Sequence, residues 1–270
     1  MTNIVLAIVG LAAGLLGGLL GIGGSVVMIP CMRELLIADQ HLCQAAAMIV
    51  NFFVVGPSVL QHMRARAVLW PVVSGLAPTA AVAVIAGVML SELPVFHRSG
   101  EVYLAGLFGL FLFYVAAVNI GKLVAYRGGE GDERWDPGRL RWYGPVIVGV
   151  AVGLVGGLLG VGGGIVSVPL QQRLLRVPLR NAIANSAATI VLLSVVGASL
   201  KNHQLVTHHA HSIADPVLLA VVLIPTAIAG GFVGGRLTHA LPLPAVRGAF
   251  VLLMLAAAIR MTARAAASLV

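Results

Sequence analysis

Two glycine clusters are the residues in this sequence whose type and spacing best suit binding chemistry. They lie at 21–24 and 160–164, each inside a long uncharged run, 2–32 and 142–172. Gly costs about 1 kcal/mol relative to Ala in a helix interior, so each cluster predicts an unwound turn between two half-helices. The second half-helices should begin near Ser25 and Gly164, where free N–H groups and the helix dipole favour an anion. The predicted small-anion site comprises Gly21, Gly23, Gly24, Ser25, Gly160, Gly162, Gly163 and Gly164.

Polar side chains inside apolar runs form a second group of candidates. Asn51, Asn185 and Ser186 lie well within such runs. Their amide and hydroxyl groups can bind the oxygens of a small anion without the desolvation cost of a buried full charge, so we add them to the predicted substrate site. The alternative is structural: interhelical hydrogen bonds for the polar groups and close helix packing for the glycines.

Basic residues at the ends of the runs are candidates for gating or for a proton-linked switch. His62 and His203 occupy corresponding ends of the second and sixth runs, and Lys201 lies beside His203. Histidine titrates near physiological pH, which suits this role, whereas an interfacial cluster bound by water and headgroups is the alternative. Histidines at 203, 208, 209 and 211 fit no closed tetrahedral pattern, so no metal and no cofactor is predicted.

The composition decides which elements must position these groups. Of the 270 residues, 59% are hydrophobic and only 10% are charged, whereas soluble domains carry about 25% charged residues. We therefore predict an all-α integral membrane protein, because about 20 apolar residues cross a bilayer as a helix. The formal charge of +8 comes from Lys and Arg scattered at the ends of apolar runs. This distribution predicts contact with membrane lipids rather than with nucleic acid.

The uncharged runs predict about eight hydrophobic segments in two homologous halves. A polar linker at 127–141 separates a first membrane repeat, residues 1–126, from a second repeat, residues 142–270. The sequence GLLGGLLGIGGSVVMIP at 14–30 lies 139 residues before GLVGGLLGVGGGIVSVP at 153–169, and eleven of the seventeen positions are identical. Weaker matches follow in the same order, so we interpret the chain as an internal duplication.

The first segment of each half is too long for one straight crossing. A straight helix over residues 2–32 would measure about 46 Å, against a hydrocarbon core of about 30 Å. If these segments cross as broken helices, each half has four crossings and the repeats are parallel. If they re-enter as hairpins, each half has three crossings and the repeats are inverted. We favour inversion, because it brings both glycine turns to a shared site at the midplane.

The paired G-x-G-G motifs, each followed by a proline and by an alanine-rich segment, resemble the TauE/SafE family of sulfite exporter-like and sulfonate permease-like membrane proteins. The resemblance covers essentially the whole chain. It implies a multi-pass protein of the bacterial inner membrane that moves small sulfur-containing anions such as sulfite or sulfoacetate. Residues 182–186, AIANS, match the family pattern, whereas AAAMI at 45–49 lacks the hydroxyl, so the two half-sites are expected to be unequal.

We predict a secondary transporter that exports sulfite or an organosulfonate bound at the paired glycine turns. An enzyme is disfavoured because the sequence has no HExxH motif and no paired carboxylates within its apolar runs. A cation/proton antiporter is disfavoured because all nine acidic residues lie at run ends or in loops. An anion channel, or a transporter of another small organic anion, shares every feature. Proton coupling and a homodimer are both compatible with the sequence.

Overall fold

The computed structural model describes residues 2–36, 40–93, 101–125, 135–136, 138, 140–208 and 212–267, which form ten α-helices and no strand. In chain order the helices are α1 (Thr2–Leu20), α2 (Ser25–Leu36), α3 (Gln40–Arg64), α4 (Trp70–Ser91), α5 (Glu101–Val124), α6 (Tyr143–Leu159), α7 (Gly164–Leu174), α8 (Leu179–His208), α9 (Ala214–Leu237) and α10 (Leu243–Ala267). The all-α prediction is confirmed. Most of the predicted linker at 127–141, together with His209 and His211, lies outside the described residues.

Several helices are suited to a bilayer. Four of them, α3, α4, α8 and α9, are long and apolar enough to cross it, and shorter apolar helices lie at Ile4–Leu20, Gly109–Val124 and Tyr143–Leu159. Large apolar side chains face outward: Val82, Leu218 and Leu252 are 69%, 70% and 72% exposed. A surface of this kind is stable against lipid and unfavourable in water. The chain is an integral membrane protein, and its eight predicted segments become ten helices because the first and fifth each divide in two.

Glycines in the left-handed region end α1 and α6. The values of φ are 62° at Gly21, 76° at Gly23, 68° at Gly160, 70° at Gly162 and 72° at Gly163. A residue with a Cβ pays about 1–2 kcal/mol for this conformation, which is why these turns need glycine. The next helices begin at Ser25 and Gly164, as the sequence predicts, so the glycine-broken first helix of each half is confirmed.

Both breaks fold the chain back along the helix that precedes them. A Cβ added to Gly24 would lie 3.3 Å from the Cβ of Ala13, and one added to Gly163 would lie 2.4 Å from the carbonyl oxygen of Val152. Ala13 and Val152 lie about two helical turns before the ends of α1 and α6. Each second half-helix therefore starts well inside the protein rather than at the end of the first half-helix.

The segment formed by α6 and α7 begins and ends on the same side of the protein. A Cβ on Gly144, at the start of α6, would lie 2.6 Å from the side chain of Leu175, which directly follows α7. Such a return to the starting side is the geometry of a re-entrant hairpin. In the first half, Arg33 near the end of α2 donates a hydrogen bond to Gln40 at the start of α3, with an N–O distance of 3.2 Å, which joins α2 to α3.

Small residues let α1 pack closely on α9 and α6 pack closely on α4. A Cβ on Gly14 would lie 2.4 Å from the carbonyl oxygen of Ala227, and one on Gly153 would lie 2.3 Å from that of Ala80. Contacts this short admit no side chain. The glycines before the breaks therefore serve helix packing, whereas those within the breaks set the backbone conformation.

Helices α3 and α8 pack on each other in the centre of the molecule and run antiparallel. His41 at the start of α3 and Lys201 near the end of α8 both contact the Glu92 carboxylate, at 3.3 Å and 3.8 Å. These three residues define what we call the His41 end. Antiparallel α3 and α8 are what an inverted arrangement requires, since the two helices follow the two glycine motifs at the same place in each half. The homology of the halves stays a prediction.

The opposite ends of α3 and α8 meet around His239, which follows α9. His62 near the end of α3 places its Nδ1 atom 3.2 Å from Nε2 of His239. The start of α8 lies at the same end, since Asn181, next to Arg180, donates a hydrogen bond to the carbonyl oxygen of Ala67 at 2.8 Å, and Ala67 N–H donates to that of His62 at 2.9 Å. His62, His239 and Arg180 define the His62 end. From His41 to His62 the helix rises about 31 Å, so the two ends are separated by the thickness of a hydrocarbon core.

Candidate anion-binding site

The two glycine breaks lie against each other. A Cβ added to Gly164 would lie 2.6 Å from Cα of Ile22 and 2.8 Å from the carbonyl oxygen of Gly21. Asn51 contacts both breaks: its Oδ1 lies 2.9 Å from the position of a Cβ on Gly23, and its Nδ2 lies 2.9 Å from that of a Cβ on Gly162. Asn51 is ten residues from His41 and eleven from His62, so the breaks meet about halfway between the two ends.

The first break has a side-chain cap. Asn51 Oδ1 accepts hydrogen bonds from the backbone N–H groups of Gly24 at 2.8 Å and Ser25 at 3.0 Å, and Asn51 Nδ2 donates to Ser25 Oγ at 2.8 Å. The side chains of Asn51 and Ser25 and the backbone N–H of Gly24 are buried. The Asn51 amide from α3 thereby accepts the hydrogen bonds of the N–H groups at the start of α2. In most helices the N-cap residue of the same helix accepts such bonds.

Among the described residues, the second break has no such cap. Gly163 precedes α7 without a side-chain hydrogen bond to the helix start. Ile190, which lies 139 residues after Asn51 in the chain, packs its Cδ1 atom 2.6 Å from the position of a Cβ on Gly164. The two half-sites are therefore unequal in the structure, because an amide faces the first helix start and an aliphatic side chain faces the second.

Gln44 is a polar residue at the second break that the sequence reasoning missed. Its Cγ lies 2.6 Å from the position of a Cβ on Gly160, and its side chain is fully buried. Neither Oε1 nor Nε2 of Gln44 has a hydrogen-bond partner among the described residues. A buried amide without partners costs free energy and is usually satisfied by a ligand or water. The sequence feature that could have identified Gln44 is its amide side chain within the uncharged run 40–63.

Of the other two predicted polar substrate residues, Ser186 contacts the breaks and Asn185 is buried beside them with other partners. Ser186 lies at the breaks, where its hydroxyl donates to the carbonyl oxygen of Gly21 at 2.6 Å. Asn185 points elsewhere: its Oδ1 accepts from Leu69 N–H at 2.7 Å and its Nδ2 donates to Gln171 Oε1 at 3.0 Å. Asn185 therefore ties α8 to the start of α4 and to α7, and its part in substrate binding stays a prediction.

The predicted gating residues lie apart from each other. His62 bonds to Ser58 and His239 at its own end of the molecule. Lys201 lies at the opposite end, where its Nζ donates to Ser91 Oγ at 2.5 Å and contacts Glu92 at 3.8 Å. His203 joins neither cluster, because its side chain is exposed. Sequence reasoning missed Glu92 and His239, since both directly follow their helices α4 and α9 by one or two residues and resemble ordinary interfacial groups.

A basic cavity of about 730 Å³ opens beside the start of α8. It is lined by α5, α7 and the connection between α7 and α8, and its cationic lining residues are Lys122, Arg173 and Arg176. Clustered positive charge at a concave surface raises the local concentration of anions. This cavity adjoins Arg180 in sequence and lies on the side of the protein where the His62 end is found.

Comparisons with known proteins point to one family. A sequence model described as sulfite exporter TauE/SafE matches residues 6–261. A "probable membrane transporter protein MamO" of Magnetospirillum gryphiswaldense is 30% identical over 284 residues, which cover 95% of this chain and 44% of that protein. A "probable membrane transporter protein YunE" of Bacillus subtilis is 27% identical over 88% of this chain and 89% of its own length. The chain thus spans less than half the length of its MamO relative.

Proposed function

The chain belongs to the sulfite exporter TauE/SafE family of membrane transporters, and from this premise we propose that it exports small sulfur-containing anions across the bacterial inner membrane. The substrates that suit it are sulfite and organosulfonates such as sulfoacetate. The observation that carries the proposal is the meeting of the two glycine breaks at mid-depth, with an uncapped helix start on one side. Discontinuous helices that meet near the midplane form the substrate sites of several transporter folds.

The chemistry of the breaks suits an oxyanion. The start of α7 supplies free N–H donors and the positive end of a dipole, and the unpartnered amide of Gln44 supplies a further donor. The anion is bound without a buried full positive charge at the breaks, which keeps the cost of releasing it low. Asn51 supports the site from the other side by holding the start of α2.

Antiparallel α3 and α8 support an alternating-access mechanism. In an inverted arrangement, one half can adopt the conformation of the other, and the central site then opens to the opposite side. The His41 end and the His62 end are the natural closures, because each joins three helices of the bundle about 15 Å from the breaks. The basic cavity supplies an approach for anions on one side.

Flux measurements in proteoliposomes test the proposal. The purified full chain is reconstituted and challenged with sulfite, thiosulfate, sulfoacetate, taurine, sulfate, acetate and a monovalent cation, with and without a pH gradient. We expect flux that is selective for the sulfur oxyanions and exceeds that of protein-free liposomes. Flux of acetate equal to that of sulfoacetate would replace the sulfur specificity by a general organic-anion function, and flux of the cation alone would refute anion transport.

A further inference from the structure

Sequence positions that correspond between the two halves carry different charges at the two ends of the bundle. The residues at the ends of α3 and α8 correspond by the separation of 139 residues found for the glycine motifs. The residues after α4 and α9 correspond by 147 residues, the separation of the two Pro-Thr-Ala segments in those helices. The corresponding pairs at these separations are His41 with Arg180, Lys201 with His62, and Glu92 with His239, so His62 pairs with Lys201 rather than with His203. The His41 end therefore contains a carboxylate where the His62 end contains an imidazole.

Hydrogen bonds at the His62 end fix the direction of donation. The single hydroxyl hydrogen of Ser58 is donated to the carbonyl oxygen of Gly18 at 2.9 Å. Ser58 Oγ must then accept from Nε2 of His62, 3.1 Å away. In neutral His62 the other ring nitrogen, Nδ1, accepts from Nε2–H of His239 at 3.2 Å. The lone pair on Nδ1 of His239 is therefore the position at which this pair of imidazoles takes up a further proton.

Among the described residues, the positive charge at this end has no carboxylate partner. Nε of Arg180 is buried and without a hydrogen-bond partner among the described residues, and no described Asp or Glu forms an ion pair with Arg180, His62 or His239. Burial, and then the charge of Arg180, lower the pKa of His239. The other described titratable groups of the adjoining segments are exposed: Arg64 and Arg66 after α3, Arg176 before α8, Arg236 on α9, and Asp136 between α5 and α6. A bound anion would supply the counter-charge that the described residues do not give Arg180.

We propose that the His62 end is a coupled site that binds one proton and one small oxyanion, the proton at Nδ1 of His239 and the anion between His239 and Arg180. This inference rests on the proposed anion transport and adds its coupling ion. A bound anion offsets the charge of Arg180 and so favours protonation of His239, and by linkage a bound proton tightens the anion by the same factor. At the His41 end Glu92 already supplies the negative charge, so that end closes by an internal ion pair.

Calorimetry on the full chain in lipid nanodiscs tests the coupling. The probe is sulfoacetate, since its sulfonate and carboxylate stay ionised near neutral pH and release no protons of their own. Binding is measured in two buffers of different ionisation enthalpy, which gives the number of protons taken up with each anion. We expect net proton uptake by the wild-type protein and about tenfold tighter binding at about pH 6 than at about pH 8.

Three variants assign the effect to this site. His239→Gln should bind sulfoacetate with no proton uptake and no pH dependence, and Arg180→Gln should weaken binding about tenfold or more. His203→Gln is the matched control, because His203 is an exposed histidine outside both ends, and it should behave as wild type. His239→Glu places at this end the carboxylate found at the other end, so it should fold and yet compete with the anion for Arg180.

The outcomes separate this inference from the proposed function. Proton uptake that persists in His239→Gln, or sulfoacetate binding without proton uptake in the wild type, overturns the coupled site. Flux of sulfoacetate in proteoliposomes under that outcome leaves anion transport standing. If the folded wild-type protein binds no sulfoacetate, the coupled site is refuted for this class of anion, and the flux panel decides the transport function separately.

Discussion

Replacing Gly162 by Ala perturbs the contact between the two breaks at a single point. Gly162 has φ of 70°, and a Cβ there would lie 2.9 Å from Nδ2 of Asn51 and 3.3 Å from Cγ2 of Ile190. The left-handed backbone costs Ala about 1–2 kcal/mol, and displacing the Asn51 amide from Ser25 Oγ costs about 1 kcal/mol more. We expect the free energy of unfolding to fall by about 2–3 kcal/mol.

The same displacement should reduce transport. If this strain of about 2–3 kcal/mol destabilises the transporting conformation alone, the population of that conformation falls about 30- to 150-fold. The assay is sulfoacetate flux per folded protein, with thermal unfolding measured on the same preparation. Gly56→Ala is the matched control, because a Cβ on Gly56 meets nothing within 4 Å and its helix φ is ordinary. This control should keep full flux and a stability equal to or above that of the wild type.

A double-mutant cycle identifies the contact responsible. In Asn51→Ala the amide that meets the new Cβ is gone, so Gly162→Ala should cost clearly less stability in that background than in the wild type. The remaining cost is the backbone strain of about 1–2 kcal/mol. Equal costs in both backgrounds, or wild-type flux in Gly162→Ala, would refute the argument that the two breaks and Asn51 form one packed unit.

Three further predictions concern the polar groups. Gln44→Leu should raise the free energy of unfolding by about 1–2 kcal/mol, because it removes an unpartnered buried amide, while sulfoacetate flux per folded protein falls about tenfold; thermal unfolding and proteoliposome flux measure the two effects. Lys201→Met should lower stability by about 3–5 kcal/mol, because it leaves the Glu92 carboxylate buried without that cation, and Lys201→Met with Glu92→Gln should recover most of the loss in denaturant unfolding. The pKa of His239 is lowered in the folded state, so the unfolded chain binds more protons at this residue. Ligand-free stability should therefore fall as pH drops below about 6.5. His239→Gln should flatten that decline between about pH 8 and 5.

Local backbone chemistry made the breaks predictable. Glycines at 21–24 and 160–164 can take a left-handed conformation and weaken a helix, so the ends of α1 and α6 and the starts at Ser25 and Gly164 followed from residue type alone. The membrane class followed from composition, because transfer of charged side chains into lipid is costly wherever in the segment they lie. Neither conclusion required knowledge of which helices touch.

The tertiary structure decided which polar groups face each other. Asn51 and Ser186 lie at the breaks. Asn185, adjacent to Ser186, instead contacts Leu69 and Gln171, because consecutive helical residues point about 100° apart. The ring of His62 contacts that of His239, which lies 177 residues away in the sequence. A sequence lists donors and charges along one dimension, but their pairing depends on the fold-back at each break and on the antiparallel crossing of α3 and α8, which only packing in three dimensions establishes.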